Sequence, residues 1–111
     1  MVDFLNLSEL KEKESVKGFK ARFVHSDNMT LAFWDIKKGA ALPEHAHVHE
    51  QVTTILEGQF QLTINAETRS LGVNDIVIIP SDQKHSGRAI TDCKIMDVFY
   101  PVRQDYLDES G

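Results

Sequence analysis

The chain has 111 residues, of which 41% are hydrophobic and 26% are charged, a composition typical of a globular rather than a disordered protein. Its formal net charge is −5, and the sequence contains no cluster of Lys or Arg. Both observations argue against nucleic acid and anionic membrane surfaces as partners, because each of these needs a positively charged surface. This length allows one domain, 1–111, with one hydrophobic core.

Cysteine content and the first residues indicate where the protein works. Cys93 is the only cysteine of the sequence, so it cannot form an internal disulfide, and this favours a reducing compartment. Residues 1–5 lack the basic region of a signal peptide, and no segment has the apolar length of a membrane span. We therefore expect a cytoplasmic protein.

The first segment of the chain predicts a short helix. Asn6 is followed three residues later by Glu9, which is the pattern of a capping box at a helix start. The helix would run into the charged segment 11–14. From Phe19 onward the pattern changes, because polar and apolar residues alternate with the period of two that is typical of strands.

Four later segments alternate most clearly and predict strands at 31–36, 59–64, 75–80 and 93–100. Segment 75–80 is apolar on both faces, which predicts a strand in the centre of a sheet. Residues typical of turns separate the segments at short intervals. Many short strands with no long helix between them predict an all-β domain of the sandwich, jelly-roll or small-barrel kind.

Three of the five histidines lie within 45–49, and two of them predict a metal site. Side chains two apart on an extended strand point the same way, so His45 and His47 can bind one ion. Imidazole favours transition metals over Mg and Ca. Gln51 keeps the same parity, and His85 can supply a further ligand from another part of the chain. The alternative is an incidental pair of surface histidines.

Three further polar residues are less suited to bind this ion. Glu50 would offer a carboxylate, but it has the wrong parity for the face of His45 and His47. His49 continues the period of two and is either a supporting group or a solvated side chain. His25 lies far away on an early strand, where an ordinary half-buried histidine is expected.

The spacing of these residues resembles the two sequence motifs of the cupin family. The first motif corresponds to Gly39-x5-His45-x-His47-x3-Gln51-x6-Gly58, with Gln51 where the family usually has Glu. The second corresponds to Asn74-x5-Pro80-x-Asp82-x2-His85, with Asn and Asp where glycine is usual. Asn and Asp are the residues other than glycine that best tolerate a left-handed backbone.

The resemblance covers a motif core of residues 39–88 and implies a fold and a cofactor. The implied fold is the double-stranded β-helix, a jelly-roll barrel. The implied cofactor is one divalent transition metal ion, Zn, Ni, Mn, Co or Fe, with His45, His47, Gln51 and His85 as its ligands. Because small cupins are often dimers, a homodimer is also expected.

A second constellation lies near the C-terminus. On strand 93–100, Asp97 shares a face with Ile95 and Phe99, where a carboxylate is costly to bury unless it is paired. The metal or Arg103 could supply the partner. Alternatively, Asp97 lies by a bulge or caps a turn, and Arg103 is an ordinary surface arginine of the tail.

The segment from Asp97 to Tyr106 also resembles the tail of a cupin subgroup that acts on unsaturated uronates in pectin and alginate breakdown. The resemblance implies conversion of 4,5-unsaturated monouronates to their linear keto forms. It implies catalytic roles for Asp97, Phe99 and Arg103, and a small anionic sugar-derived substrate, with Trp34 as a further wall of the pocket. Two alternatives remain on the same scaffold, an iron- or nickel-dependent dioxygenase and a non-catalytic module that binds a small ligand.

The proposed ligands also bear on the reaction. Three imidazoles and an amide are all neutral, so they leave the charge of a divalent ion uncompensated. Such an ion attracts anionic or carbonyl oxygens and acts as a Lewis acid. The neutral ligands therefore favour chemistry without a change of oxidation state.

Overall fold

The computed structural model describes residues 2–110, and side chains are described for 2–107. This part of the chain forms ten β-strands, a short 3₁₀ helix at Leu7–Glu9 and one α-helix near the end. The elements are β1 Lys13–Val16, β2 Phe19–His25, β3 Thr30–Ile36, β4 Ala41–His45, β5 Glu50–Glu57, β6 Phe60–Ile64, β7 Glu67–Leu71, β8 Ile76–Ile79, β9 His85–Ala89, β10 Cys93–Tyr100 and α1 Gln104–Ser110.

The strands form two antiparallel sheets. The larger has the order β1-β2-β3-β10-β5-β8, and the smaller has the order β4-β9-β6-β7. Both sheets contribute side chains to one hydrophobic core, which is rich in aromatic and branched residues. Its members include Phe19, Trp34, Ile55, Phe60 and Phe99. The prediction of an all-β jelly-roll domain is confirmed. No helix of residues 2–110 is long and apolar enough to cross a membrane.

Alternation along the strands reflects the two faces of each sheet. In β10, Cys93, Ile95, Asp97 and Phe99 are buried, whereas the residues between them are exposed or half-buried. Burial in β3 alternates in the same way over all seven residues. Successive side chains of a strand point to opposite faces, so the period of two located these strands correctly.

Two sequence-based predictions about the strands and the first helix are wrong. Strand β8 is not central but forms an edge of the larger sheet, and Ile76 and Ile78 are 63% and 65% exposed. Apolar side chains on both faces do not show whether anything covers the outer face. Near the start, the Asn6 side chain does accept a hydrogen bond from the Ser8 backbone, but the helix ends at Glu9. The segment after it enters β1, because pairing with β2 overrides local helix propensity.

The two departures from the glycines of the motifs are accommodated as predicted. Asn74 and Asp82 have φ angles of 73° and 64°, in the left-handed region. Gly58 also has a positive φ, and a side chain there would collide with the carbonyl oxygen of Asp92. Two of these turns adjoin strands that carry candidate metal ligands, because Gly58 follows β5 with Gln51 and Asp82 precedes β9 with His85.

Candidate metal centre

Three histidines converge at one end of the smaller sheet. His45 ends β4 and His85 begins β9, and the two are direct partners in the register of these strands. His47 lies beyond β4, with its ring centroid 5.7 Å from that of His45 and 5.2 Å from that of His85. One ring nitrogen of each lies within 4.8 Å of the others, so the three could hold a metal ion.

The prediction that His45 and His47 share one strand is wrong. Strand β4 ends at His45, and His47 belongs to the turn that leads into β5. The turn nevertheless directs His47 toward His45 and His85, so the predicted grouping is present for another reason.

Backbone carbonyls determine which nitrogen of each ring faces the cluster. Each Nδ1 lies 2.9 Å from a carbonyl oxygen, that of Pro43 for His45, His49 for His47 and Gln83 for His85. A carbonyl can only accept a hydrogen bond, so each Nδ1 carries a proton and a neutral ring keeps the lone pair on Nε2. The rings are thus prepared to bind a metal through Nε2.

Burial keeps His85 and His47 in the form that binds metals. His85 is almost fully buried, and its Nε2 has no hydrogen-bond partner among the described residues. Burial lowers the pKa of His85 to about 4. Burial, and then the positive charge of Arg103, also lower the pKa of His47. Neutral imidazole is the ligand form, so the site fits a divalent transition metal ion.

Gln51, which lies on β5, is next to the three histidines. Its Oε1 is 3.0 Å from His47 Nε2, and its Nε2 donates to Thr53 Oγ1 at 2.9 Å. Gln51 is buried whereas Glu50 is exposed, which is the difference that strand parity predicted. The amide oxygen of Gln51 is therefore in position to act as a fourth ligand.

Asp97 is buried on β10, which lies between β3 and β5 in the larger sheet. Trp34 Nε1 donates to its Oδ2 at 2.9 Å, and Thr53 Oγ1 donates to its Oδ1 at 2.6 Å. The alternative of a turn is wrong, because Asp97 pairs with Ala32 on β3 and Thr53 on β5. An irregularity in the pairing of β10 with β5 does lie close by, between Lys94 and Ile95. Arg103, expected as a possible ion-pair partner, does not contact it directly. Burial raises the pKa of Asp97 to about 6.

Arg103 is only 9% exposed, so the surface alternative is wrong for this residue. Its guanidinium carbon lies 4.8 Å from the ring centroid of Phe99 and 4.0 Å from that of Tyr106. Its Nε and Nη2 donate to the two carboxylate oxygens of Asp105 at 3.0 and 2.7 Å. Sequence reasoning missed Asp105 and Tyr106, although both lie within three residues of Arg103.

These groups border one cavity of about 330 Å³. Its lining is mostly apolar and includes Trp34, the residue expected as a further wall of the pocket. The predicted metal-ligand and catalytic residues that line the cavity are His45, Gln51, His85, Asp97, Phe99 and Arg103. His47 contacts the same groups through Gln51 and through the ring of Phe99, 5.6 Å away.

The two other histidines lie outside the group of three. His49 packs near the rings of His47 and Phe99, and its backbone oxygen holds His47 Nδ1. His25 is half-buried, as predicted, and its Nδ1 is 2.8 Å from Thr30 Oγ1.

The fold and this histidine cluster are those of a cupin: the Cupin domain family matches residues 32–99, and the chain belongs to it. The Pectin degradation protein KdgF of Dickeya dadantii (strain 3937) is 27% identical over 93 residues, which are 81% of this chain and 84% of that protein. The solved structure of KdgF from Halomonas sp. has a TM-score of 0.89 and 23% identity, and covers 96% of this chain and 99% of its own. An RmlC-like cupin from Shewanella frigidimarina NCIMB 400 has the same TM-score and identity, with 96% of both chains covered.

Proposed function

We propose that the chain is a metal-dependent enzyme that converts 4,5-unsaturated monouronates into their linear keto forms. The single observation that carries this proposal is the arrangement of one cavity. It is bordered by His45 and His85 of the histidine cluster, by the buried carboxylate of Asp97 and by the buried guanidinium of Arg103. These are a metal site, a group that can move a proton and a group that can bind an anion.

The metal would be held by His45, His47, Gln51 and His85, and the donor set suits Zn, Ni, Mn, Co or Fe. When bound, the ion would supply uncompensated positive charge that orients and polarises the oxygens of the sugar. The neutral ligands favour this role over dioxygen chemistry, which is the first alternative. The presence of a buried carboxylate in the cavity favours catalysis over the second alternative, a non-catalytic ligand-binding module.

Asp97 would move the proton. Ring opening is an isomerisation in which a hydroxyl proton leaves the substrate, the ring C–O bond breaks and a proton is added at a carbon. One group that takes a proton from oxygen and returns it to carbon is sufficient. Burial raises the pKa of Asp97 to about 6, close to the range in which a carboxyl can do both.

Arg103 and Phe99 would position the substrate. Every uronate carries a carboxylate, and an arginine is the side chain best suited to bind one. Stacking on Phe99 and Tyr106 holds the guanidinium plane in place. Phe99 would also offer an apolar surface to one face of the sugar.

The comparison with known proteins supports the substrate class. The relative with 27% identity is named for pectin degradation, and pectin is a polymer of uronic acids. Its fragments are small anionic sugar derivatives, which match a cavity with a metal site and a buried arginine.

An ultraviolet assay tests the proposal. The conjugated 4,5-double bond of an unsaturated monouronate absorbs, and the absorbance decays as the linear keto form appears. The parent protein supplied in turn with Zn, Ni, Mn, Co and Fe should accelerate that decay with at least one metal. The Asp97→Asn protein serves as the control. No acceleration with any metal would contradict the uronate function, and oxygen uptake with iron or nickel would support the dioxygenase instead.

We also propose that the protein is a homodimer, and the outer face of the larger sheet supports this. The register of five neighbouring strands puts apolar side chains in one row, namely Ile78, Val52, Val98, Leu31 and Val24. A second copy could cover this uncharged row with its own about a two-fold axis. In sedimentation experiments the parent protein should have the mass of two chains, and the Val98→Glu protein should have the mass of one chain. A monomeric parent at high concentration would contradict the dimer.

We propose the cytoplasm as the place of action. Cys93 is a buried free thiol whose Sγ donates to the Gln59 carbonyl at 3.1 Å. Free thiols persist in reducing compartments. Fractionation of host cells with an antibody to the chain tests this, and recovery from outside the cytoplasm would contradict it.

A further inference from the structure

A continuous chain of polar contacts connects the core to the histidine cluster. It begins at Trp34, whose Nε1 donates to Asp97 Oδ2, and continues from Asp97 Oδ1 to Thr53 Oγ1. Thr53 Oγ1 in turn meets Gln51 Nε2, and Gln51 Oε1 faces His47 Nε2. The four contacts measure 2.9, 2.6, 2.9 and 3.0 Å in that order.

Donor and acceptor chemistry sets the direction of this chain. The indole of Trp34 can only donate, so one oxygen of Asp97 accepts there. Thr53 has one hydroxyl proton, and the short distance to Asp97 Oδ1 is typical of a hydroxyl that donates to a carboxylate. The hydroxyl oxygen of Thr53 can then only accept. The group of Gln51 that faces it must therefore be the NH₂ group.

The other end of the Gln51 amide consequently presents its oxygen to the histidines. His47 gives its Nδ1 proton to the His49 carbonyl, so a neutral His47 has a lone pair on Nε2. Two lone pairs 3.0 Å apart repel each other unless a cation or a proton lies between them. A metal ion bound by both atoms removes that conflict.

We propose that Thr53 is a positioning residue of the metal centre, because its hydroxyl holds the Gln51 amide with the oxygen toward the three histidines. The inference rests on the proposed role of Gln51 as a metal ligand. Without the Thr53 hydroxyl, the amide can turn over. Its NH₂ group would then face the cluster, where it offers no lone pair and repels a cation.

The test is the metal affinity of the protein without substrate. Zn²⁺ titration against a chromophoric chelator gives the dissociation constant for the parent, Thr53→Val and Thr53→Ser proteins. Thr54→Val is the matched control, since the neighbouring Thr54 is on the other face of β5. Thr53→Val should weaken zinc binding by about 10–100-fold, whereas Thr53→Ser and Thr54→Val should stay within about threefold of the parent. Thr53→Ala replaces Thr53→Val if the latter does not fold, as judged by thermal melting.

A double-mutant cycle separates orientation from mere packing. In Gln51→Glu the ligand side chain presents an oxygen whichever way it turns. Adding Thr53→Val to that background should therefore cost much less zinc affinity than it costs the parent. Parent-like affinity of Thr53→Val, or an equal loss in the Gln51→Glu background, overturns the proposal.

The same measurements distinguish the role of Thr53 from the proposal on which it rests, that Gln51 is a metal ligand. If Gln51→Ala binds zinc like the parent, Gln51 is not a ligand, and both the ligand set and the role of Thr53 are overturned. If Gln51→Ala loses affinity while Thr53→Val keeps it, only the role of Thr53 is overturned. Neither outcome depends on turnover of a uronate.

Discussion

His45 and His85 face each other across the pairing of β4 and β9, with their ring centroids 4.1 Å apart. The two residues come from distant parts of the chain, and antiparallel register alone brings them together. His47 completes the group from the adjoining turn. The candidate metal centre thus depends on strand pairing as much as on its histidines.

Replacing single histidines should separate ligands from bystanders. His47→Ala and His85→Ala should each lower metal occupancy strongly, because each removes one of three converging nitrogens. His49→Ala should have a smaller effect, and His25→Ala should have none. Elemental analysis of the purified proteins measures the occupancy. Full occupancy in His85→Ala would contradict the four-ligand site.

Gln51→Glu should bind the metal at least as tightly as the parent and an anionic substrate more weakly. The new carboxylate offsets positive charge that would otherwise attract the substrate. Titration calorimetry with the metal, and then with a uronate, gives both affinities. Unchanged uronate affinity in this variant would argue that the charge of the centre plays no part in substrate binding.

Asp97→Asn should lose turnover by about 10²–10⁴-fold even with the metal added to saturation, because asparagine cannot exchange a proton. Its metal affinity should fall as well. The Trp34 indole requires an oxygen opposite it, so the NH₂ group of the substituted side chain would donate to Thr53 and release the Thr53 hydroxyl to donate to Gln51. Circular dichroism controls for folding. Turnover close to that of the parent would exclude Asp97 as the proton carrier.

Replacing Arg103 should weaken substrate binding, whereas replacing Asp105 should strengthen it. The carboxylate of Asp105 already receives two hydrogen bonds from the guanidinium, so a substrate carboxylate must compete with it. Arg103→Ala should raise KM by about tenfold or more, whereas Asp105→Asn should lower KM. Steady-state kinetics with the unsaturated monouronate measures both. A higher KM in Asp105→Asn would mean that Asp105 supports the arginine rather than competes for it.

His85 should make the stability of the metal-free protein depend on pH. Burial lowers the pKa of His85 from 6.5 to about 4, so the unfolded chain binds this proton first as the pH falls. The stabilising contribution is complete above pH 6.5 and is lost as the pH falls toward 4. The loss amounts to about 3 kcal/mol.

A matched comparison isolates this contribution, because the raised pKa of Asp97 acts in the opposite direction in the same pH range. His85→Gln keeps Asp97 but lacks the imidazole. Urea denaturation should show that the advantage of the parent over His85→Gln shrinks by about 3 kcal/mol between about pH 7.5 and about pH 4. A difference that does not change with pH would contradict the assignment of a low pKa to His85.

The sequence by itself predicted the features that depend on local rules. Alternation located β3, β6 and β10, since a strand exposes its two faces in turn. The left-handed turns at Asn74 and Asp82 followed from the resemblance to motifs with glycine at these positions, together with residue types that tolerate such a backbone. The candidate metal ligands followed from donor chemistry and motif spacing, even though His47 lies in a turn and not on the strand that was expected.

Only the tertiary structure decided which groups meet across the sheets. Two apolar faces could not show that β8 is an edge strand, because sheet order depends on long-range pairing. The partners of Asp97 are Trp34 and Thr53, and neither is near it in the chain. Hydrogen bonds of this kind form where register aligns distant strands. The chain that orients Gln51 is therefore a property of the folded sheet and not of any segment of the sequence.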